Sequence, residues 1–141
     1  MKAYLLDVNV LLALSWPDHQ HHNRVHTWFA RNAPKGWATC PMVQAGFVRI
    51  ASNPAFSPRA VSPKEAFGAL ARNTRHPAHQ FWPDEISLVD GLVNVQSRII
   101  GHQQVTDAYL LALAMHRRGK LATLDKGFLA WDSGQSVEVI I

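Results

Sequence analysis

The apolar positions fall into short blocks whose spacing changes along the chain. Ala3 to Leu6 is a continuous apolar run with the length of a buried parallel strand, and Asp7 stands at its C-terminal end. Val10, Leu11 and Leu14 follow at helical spacing and predict a short helix that stops before Trp16-Pro17. Val25, Trp28 and Phe29 mark a second helix over His19 to Arg31, broken by Asn32 to Gly36. Trp37 to Cys40 reads as a second strand. Pro41 then opens a helix whose stripe is Val43, Phe47 and Ile50 and which Asn53-Pro54 ends. Ser62-Pro63-Lys64-Glu65 is a capping-box pattern for a helix reaching about Asn73. Phe81-Trp82 predicts a short strand and Leu88 to Ile100 a helix. Thr106 is the predicted N-cap of a helix over Asp107 to Arg118, with Gly119 as its C-cap. Lys120 to Leu124 is a strand ending at Asp125, and Val137 to Ile141 a last one. Short strands alternating with helices predict an α/β fold around a mostly parallel, twisted sheet.

Composition narrows the class. A chain of 141 residues with no repeat and no linker predicts one domain over 1–141. Its 48% hydrophobic and 17% charged residues exclude a disordered chain. The single cysteine, Cys40, excludes an internal disulfide and a cysteine-based metal cluster, and suits a reducing, cytoplasmic setting. Beside Pro41 it reads as a small buried hydrophobe. The apolar N-terminal stretch contains Asp7 and Asn9, and no small-residue cleavage site follows Trp16-Pro17, so it reads as folded chain and not as a signal peptide. No apolar run approaches the roughly 20 residues that span a bilayer. Fourteen Lys and Arg against ten Asp and Glu, with eight His, give a mildly basic molecule suited to a polyanion.

Three carboxylates change the picture. In an open parallel sheet, ligands bind beyond the C-terminal ends of the strands. Asp7 and Asp125 each end a predicted strand, and Asp107 lies in the first turn of a helix. Taken singly, each acid reads more simply as a cap or a complement to a helix dipole. Gathered on one edge they repel, and a divalent cation is the usual reason to assemble them.

The segments that carry these acids have a family look. Leu5-Leu6-Asp7-Val8-Asn9 followed by Val10 to Leu14 resembles the first motif of PIN domains. Val105-Thr106-Asp107-Ala108-Tyr109-Leu110 resembles their third, and Thr123-Leu124-Asp125-Lys126-Gly127-Phe128 their fourth, in matching order and spacing. Together they resemble the VapC toxins of bacterial toxin–antitoxin pairs. The resemblance implies a three-layer α/β/α fold and an endoribonuclease dependent on Mg²⁺ or Mn²⁺. Asp7, Asp107 and Asp125 would be its catalytic and metal-holding acids. Asn9 would support Asp7, and Thr106 and Thr123 would bind water, metal or phosphate. The resemblance also implies a homodimer, a VapB-like antitoxin and a structured target such as transfer or ribosomal RNA.

One position departs from the pattern. Where many PIN domains carry an acid near the start of the helix after the second strand, this chain has Gln44. Three readings stay open: a working three-acid site, a site weakened to a binding module, or an engineered substitution. A phosphatase of the haloacid-dehalogenase type would also begin with a strand and Asp7-Val8-Asn9, but Asn9 cannot act as its second acid. A receiver-type phosphoacceptor lacks its acidic pair. Arg49, Arg72, Arg75 and His102 are candidates for contact with RNA. His19, His21, His22 and His26 read better as a solvated helix face than as a zinc site.

Overall fold

The computed structural model describes residues 2–93, 99, 101–130 and 135–141. Among the described residues, five strands, β1 (Tyr4–Leu6), β2 (Trp37–Thr39), β3 (His79–Phe81), β4 (Lys120–Thr123) and β5 (Val137–Val139), form one sheet in the order β3-β2-β1-β4-β5. Every pairing is parallel. The helices are α1 (Val8–Ser15), α2 (His22–Asn32), α3 (Pro41–Ala51), α4 (Pro63–Asn73), α5 (Leu88–Leu92) and α6 (Val105–His116).

The strand order fixes the layers. The connections β1 to β2 and β2 to β3 step outward in one direction, while β3 to β4 crosses back over two strands. Parallel crossovers are right-handed, so opposite steps put their helices on opposite faces. The helices α1 to α4 therefore cover one face, and α5 and α6 the other. Leu5, Leu6, Ala38, Leu121 and Ala122 are fully buried, as expected of strands covered on both sides. Phe47 from α3 and Leu110 and Leu113 from α6 fill the two layers around them. The expected three-layer α/β/α architecture is the one observed.

Local chemistry explains most boundaries. Asp7 caps α1, accepting from the Val10 N–H at 2.9 Å. Ser62 caps α4 by accepting from the Glu65 N–H at 3.1 Å, and its hydroxyl donates to the Glu65 carboxylate at 3.2 Å. Pro41 is the first residue of α3.

Four expectations need correction or qualification. Thr106 is not the N-cap of α6. A 3-10 turn over His102–Gln104 feeds helical backbone directly into Val105, so Gln104 is the cap and Thr106 lies exposed in the first turn. Gly119 does not supply the left-handed residue after α6; Arg118 does, with φ 56°. Gly119 is needed for room, since a Cβ there would lie 2.6 Å from the Ala3 carbonyl oxygen. The third strand is His79–Phe81, and Trp82 follows it into the core, its N–H donating to the Thr39 carbonyl at 2.9 Å. Of the helix expected over Leu88 to Ile100, α5 covers Leu88–Leu92, and positions 94–98 and 100 lie outside the described residues.

Candidate active site

The strand order reverses direction between β1 and β4, and it is at such a switch point that an open α/β sheet leaves a crevice at its C-terminal edge. Asp7 follows β1 and Asp125 follows β4, so the two acids flank that crevice. Asp107, in the first turn of α6, joins them: with Gln104, Asp125, Gly127 and Phe128 it lines a small cleft. Two larger hollows lie elsewhere. One is at the ends of α1 and α3 beside the 56–60 loop, the other between α5 and α6, and neither gathers more than one carboxylate.

The acids feel one another. Asp7 is 6% exposed, and burial pushes its carboxyl up to about 6. Hydrogen bonds from Thr123 and from the Val10 N–H oppose that rise, and the charges of Asp107 and Asp125 add to it. Burial also raises Asp107, and Asp125 raises it further. Asp125 is exposed, with its Oδ1 accepting from the Gly127 N–H at 2.8 Å.

Thr123 sits between two of these acids. Leu6 pairs with Ala122, so the next step of the ladder sets Asp7 beside Thr123. The Thr123 hydroxyl donates to the Asp7 carboxylate and accepts from the Asp125 N–H at 3.0 Å. Thr123 is fully buried, which removes it from contact with a phosphate. Thr106 and Asn9 are exposed near the edge, Asn9 in the first turn of α1.

Gln44 turns to another partner. Its Nε2 donates to the buried Thr39 Oγ1 at 3.0 Å, and Thr39 Oγ1 lies 2.8 Å from His79 Nε2. The Thr39 hydroxyl accepts from the amide and shares a second hydrogen bond with the His79 ring. Gln44 is thus part of a polar chain linking α3, β2 and β3, a link that spacing along the sequence does not reveal.

The structure separates the basic candidates. His102 is exposed in the turn that leads to Gln104, a residue that lines the acidic cleft. Arg72 and Arg75 lie at the opposite edge of the sheet. Asn73 bonds Ser15 at the far end of α1, and the Ala78 carbonyl bonds the N–H of Trp37 at the start of β2. Arg49 is in the last turn of α3, roughly 12 Å along the helix from its start beside β2. Among the four histidines, His22 Nδ1 donates to the Ala13 carbonyl, and no cluster of three possible metal ligands forms among the described residues. Cys40 is buried, and burial pushes its thiol up to about 11.

The donor set fits a hard divalent cation. Carboxylate oxygens are what Mg²⁺ and Mn²⁺ prefer, and a buried acid with two like charges nearby gains from one. Among the described residues no three acidic, histidine or cysteine side chains are gathered tightly enough to enclose an ion unaided.

Comparison with known proteins shows the family and the fold. The chain matches the family model of the PIN domain over residues 4–132. It is 47% identical over 123 residues to ribonuclease VapC38 of Mycobacterium tuberculosis, covering 87% of this chain and 85% of that protein. It is 41% identical over 136 residues to ribonuclease VapC39 of M. tuberculosis, covering 96% and 98%. In fold it is similar to VapBC2 of Rickettsia felis, solved bound to a promoter DNA fragment, with a TM-score of 0.68, 13% identity and coverage of 97% and 98%. It is likewise similar to the M. tuberculosis toxin VapC20, described as cleaving the sarcin–ricin loop, with a TM-score of 0.67, 15% identity and coverage of 92% and 95%. The phosphatase reading of Asp7-Val8-Asn9 is left without support. On the family match and the extent of these identities, the chain belongs to the PIN-domain family and, within it, to the VapC group.

Proposed function

We propose that this protein is a Mg²⁺- or Mn²⁺-dependent endoribonuclease that acts as the toxin of a toxin–antitoxin pair. The observation that carries this reading is the mutual interaction of Asp7, Asp107 and Asp125 at the switch point of the sheet. The ribonuclease names of its relatives support the reaction class. Asp7, Asp107 and Asp125 would hold the cation. When bound, it supplies positive charge that offsets the phosphodiester and its transition state and makes a water acidic enough to attack near neutral pH.

The chain's own residues do the rest. The Val10 N–H and the Thr123 hydroxyl fix Asp7, and the Gly127 N–H fixes Asp125. Asn9 and Thr106 lie exposed beside two of the acids, within reach of a substrate phosphate or its water. Of the basic candidates, His102 would be the nearest to the cleft, two residues before Gln104, and Arg49, Arg72 and Arg75 would serve only a long RNA that wraps away from it. The VapC20 description supports a structured target such as transfer or ribosomal RNA. The VapBC2 structure supports a VapB-like antitoxin as partner. A homodimer in the cytoplasm completes the proposal; among the described residues no helix is long and apolar enough to cross a membrane.

The test is incubation with total RNA, with and without Mg²⁺ or Mn²⁺, beside Asp7→Ala. Discrete fragments that require the metal and vanish in the variant are expected. A second reading, a PIN-like module that binds RNA or protein without turnover, draws on the engagement of Gln44 with Thr39 in place of a fourth charge. Equal RNA binding by both proteins, with no cleavage by either, would establish that reading instead.

A further inference from the structure

We propose that His22 and His26 form a two-imidazole site for a borderline divalent metal ion (Ni²⁺, Cu²⁺ or Zn²⁺) at the start of α2, separate from the acid cleft. Four histidines gather there, and their hydrogen bonds sort them. A backbone N–H or a guanidinium only donates, and a carbonyl only accepts, so each bond fixes the role of one ring nitrogen. His19 Nδ1 accepts from the His21 N–H at 3.0 Å. The neutral His19 ring therefore carries its proton on Nε2 and has no lone pair left for a metal. His21 Nδ1 accepts from the Arg24 guanidinium at 2.7 Å, with the same result. His22 is the opposite case. Its Nδ1 donates to the Ala13 carbonyl at 2.7 Å, which leaves the Nε2 of the neutral ring with a free lone pair.

That arrangement is the one metal-holding histidines use: one ring nitrogen donates to a carbonyl, which fixes the ring and presents the other nitrogen to the ion. His26 follows one helical turn later on the same face of α2. The two ring centroids are 5.6 Å apart with their planes inclined by 35°. Metal–imidazole bonds of about 2.1 Å bring two ligand nitrogens to about 3.4 Å from each other at a tetrahedral ion. His22 is half-buried and tethered, while His26 is exposed and has room to swing toward it. Asp18 is engaged by Arg59 and is not drawn in. Among the described residues no third acidic, histidine or cysteine ligand joins the pair, so water fills the remaining positions. Two imidazoles with no carboxylate favour Ni²⁺, Cu²⁺ and Zn²⁺ over Mg²⁺. Ala13, which anchors His22, lies six residues beyond Asp7, about 9 Å along α1. The pair and the acids are thus two sites with different metal preferences.

The test uses Ni²⁺ alone as probe, on the intact chain without a polyhistidine tag and with excess Mg²⁺ present. Binding is measured by calorimetry, and the melting temperature is recorded with and without Ni²⁺. We expect wild type to bind Ni²⁺ and to melt at a higher temperature with it, since an ion held only by the folded chain stabilises that chain. His26→Ala should weaken binding by at least the roughly 10-fold that loss of a mere orienting group costs, and should remove the thermal shift. His22→Ala should do the same; if it does not fold without its bond to Ala13, His26→Gln, changed at an exposed position, takes its place. His19→Ala and His21→Ala should stay within about 3-fold of wild type, as neither loses a ligand. Asp7→Ala should bind Ni²⁺ like wild type, which separates this site from the cleft. Wild type that binds no Ni²⁺ overturns the proposal, as does wild-type affinity in His26→Ala. Loss of binding in Asp7→Ala, or in His19→Ala or His21→Ala as severe as in His26→Ala, overturns it too. The pair shares no residue with the acids, so none of these outcomes decides the nuclease reading.

Discussion

At the scale of single residues, the site stores an electrostatic cost. Asp7 serves as helix cap and as buried acid at once, and with no metal its carboxyl titrates at about 6. An acid whose folded pKa lies above its ordinary value of 3.8 destabilises the fold when ionised. That cost is fully present above pH 6 and is relieved as pH falls through 6 toward 4. Asp7→Asn keeps an oxygen for the Val10 N–H, so in EDTA at pH 8 the variant should be more stable than wild type by roughly 2 kcal/mol. The gain should fade by about pH 4. Thermal melts across pH check it, and a gain that persists undiminished at pH 4 would contradict it. Gln44 offers a second test. In Gln44→Glu the Thr39 hydroxyl can donate to the new carboxylate and accept from the His79 ring. The extra charge near the edge should lower the Mg²⁺ concentration for half-maximal cleavage by about 10-fold. Equal or lower cleavage in the variant would show that position 44 stands outside the cation site.

At the scale of elements, the end of α6 separates two roles that a C-terminal glycine usually combines. Arg118 holds the left-handed conformation, which costs a residue with a Cβ about 1 kcal/mol. Gly119 holds the close approach to the Ala3 carbonyl at the start of β1. Arg118→Gly should therefore raise the unfolding free energy by about 0.5–1 kcal/mol. Gly119→Ala should lower it by more than 1 kcal/mol, because backbone and not a flexible side chain must give way. Denaturant titration of the two variants distinguishes them, and the opposite order would show the roles reversed. The cap of α4 lies away from the cleft, so Ser62→Ala should cost about 1 kcal/mol of stability with unchanged cleavage per folded molecule. The elements themselves were largely legible. Capping residues, prolines and apolar spacing act between neighbours, so Ser62-Pro63-Lys64-Glu65 and Pro41 announced their helices. Thr106 misled because it has cap chemistry, while the 3-10 turn that makes it helical is set by how the chain arrives at α6.

At the scale of the whole molecule, function follows from strand order. The sheet places β1 beside β4, although well over a hundred residues separate Leu6 from Ala122's neighbour Thr123 along the chain. Sequence by itself determined the three acids, the strands they end, the capped helices and the family pattern, because each is written in residues adjacent along the chain. It also suggested the edge on which the acids would meet, since strand ends in parallel sheets share one edge. Only the tertiary structure decided that Thr123 is buried between Asp7 and Asp125, that Gln44 is held by Thr39 and His79, and that Arg72 and Arg75 belong to the opposite edge. Those facts depend on which strands become neighbours and on the handedness of the crossovers between them, and no local pattern of residues encodes either.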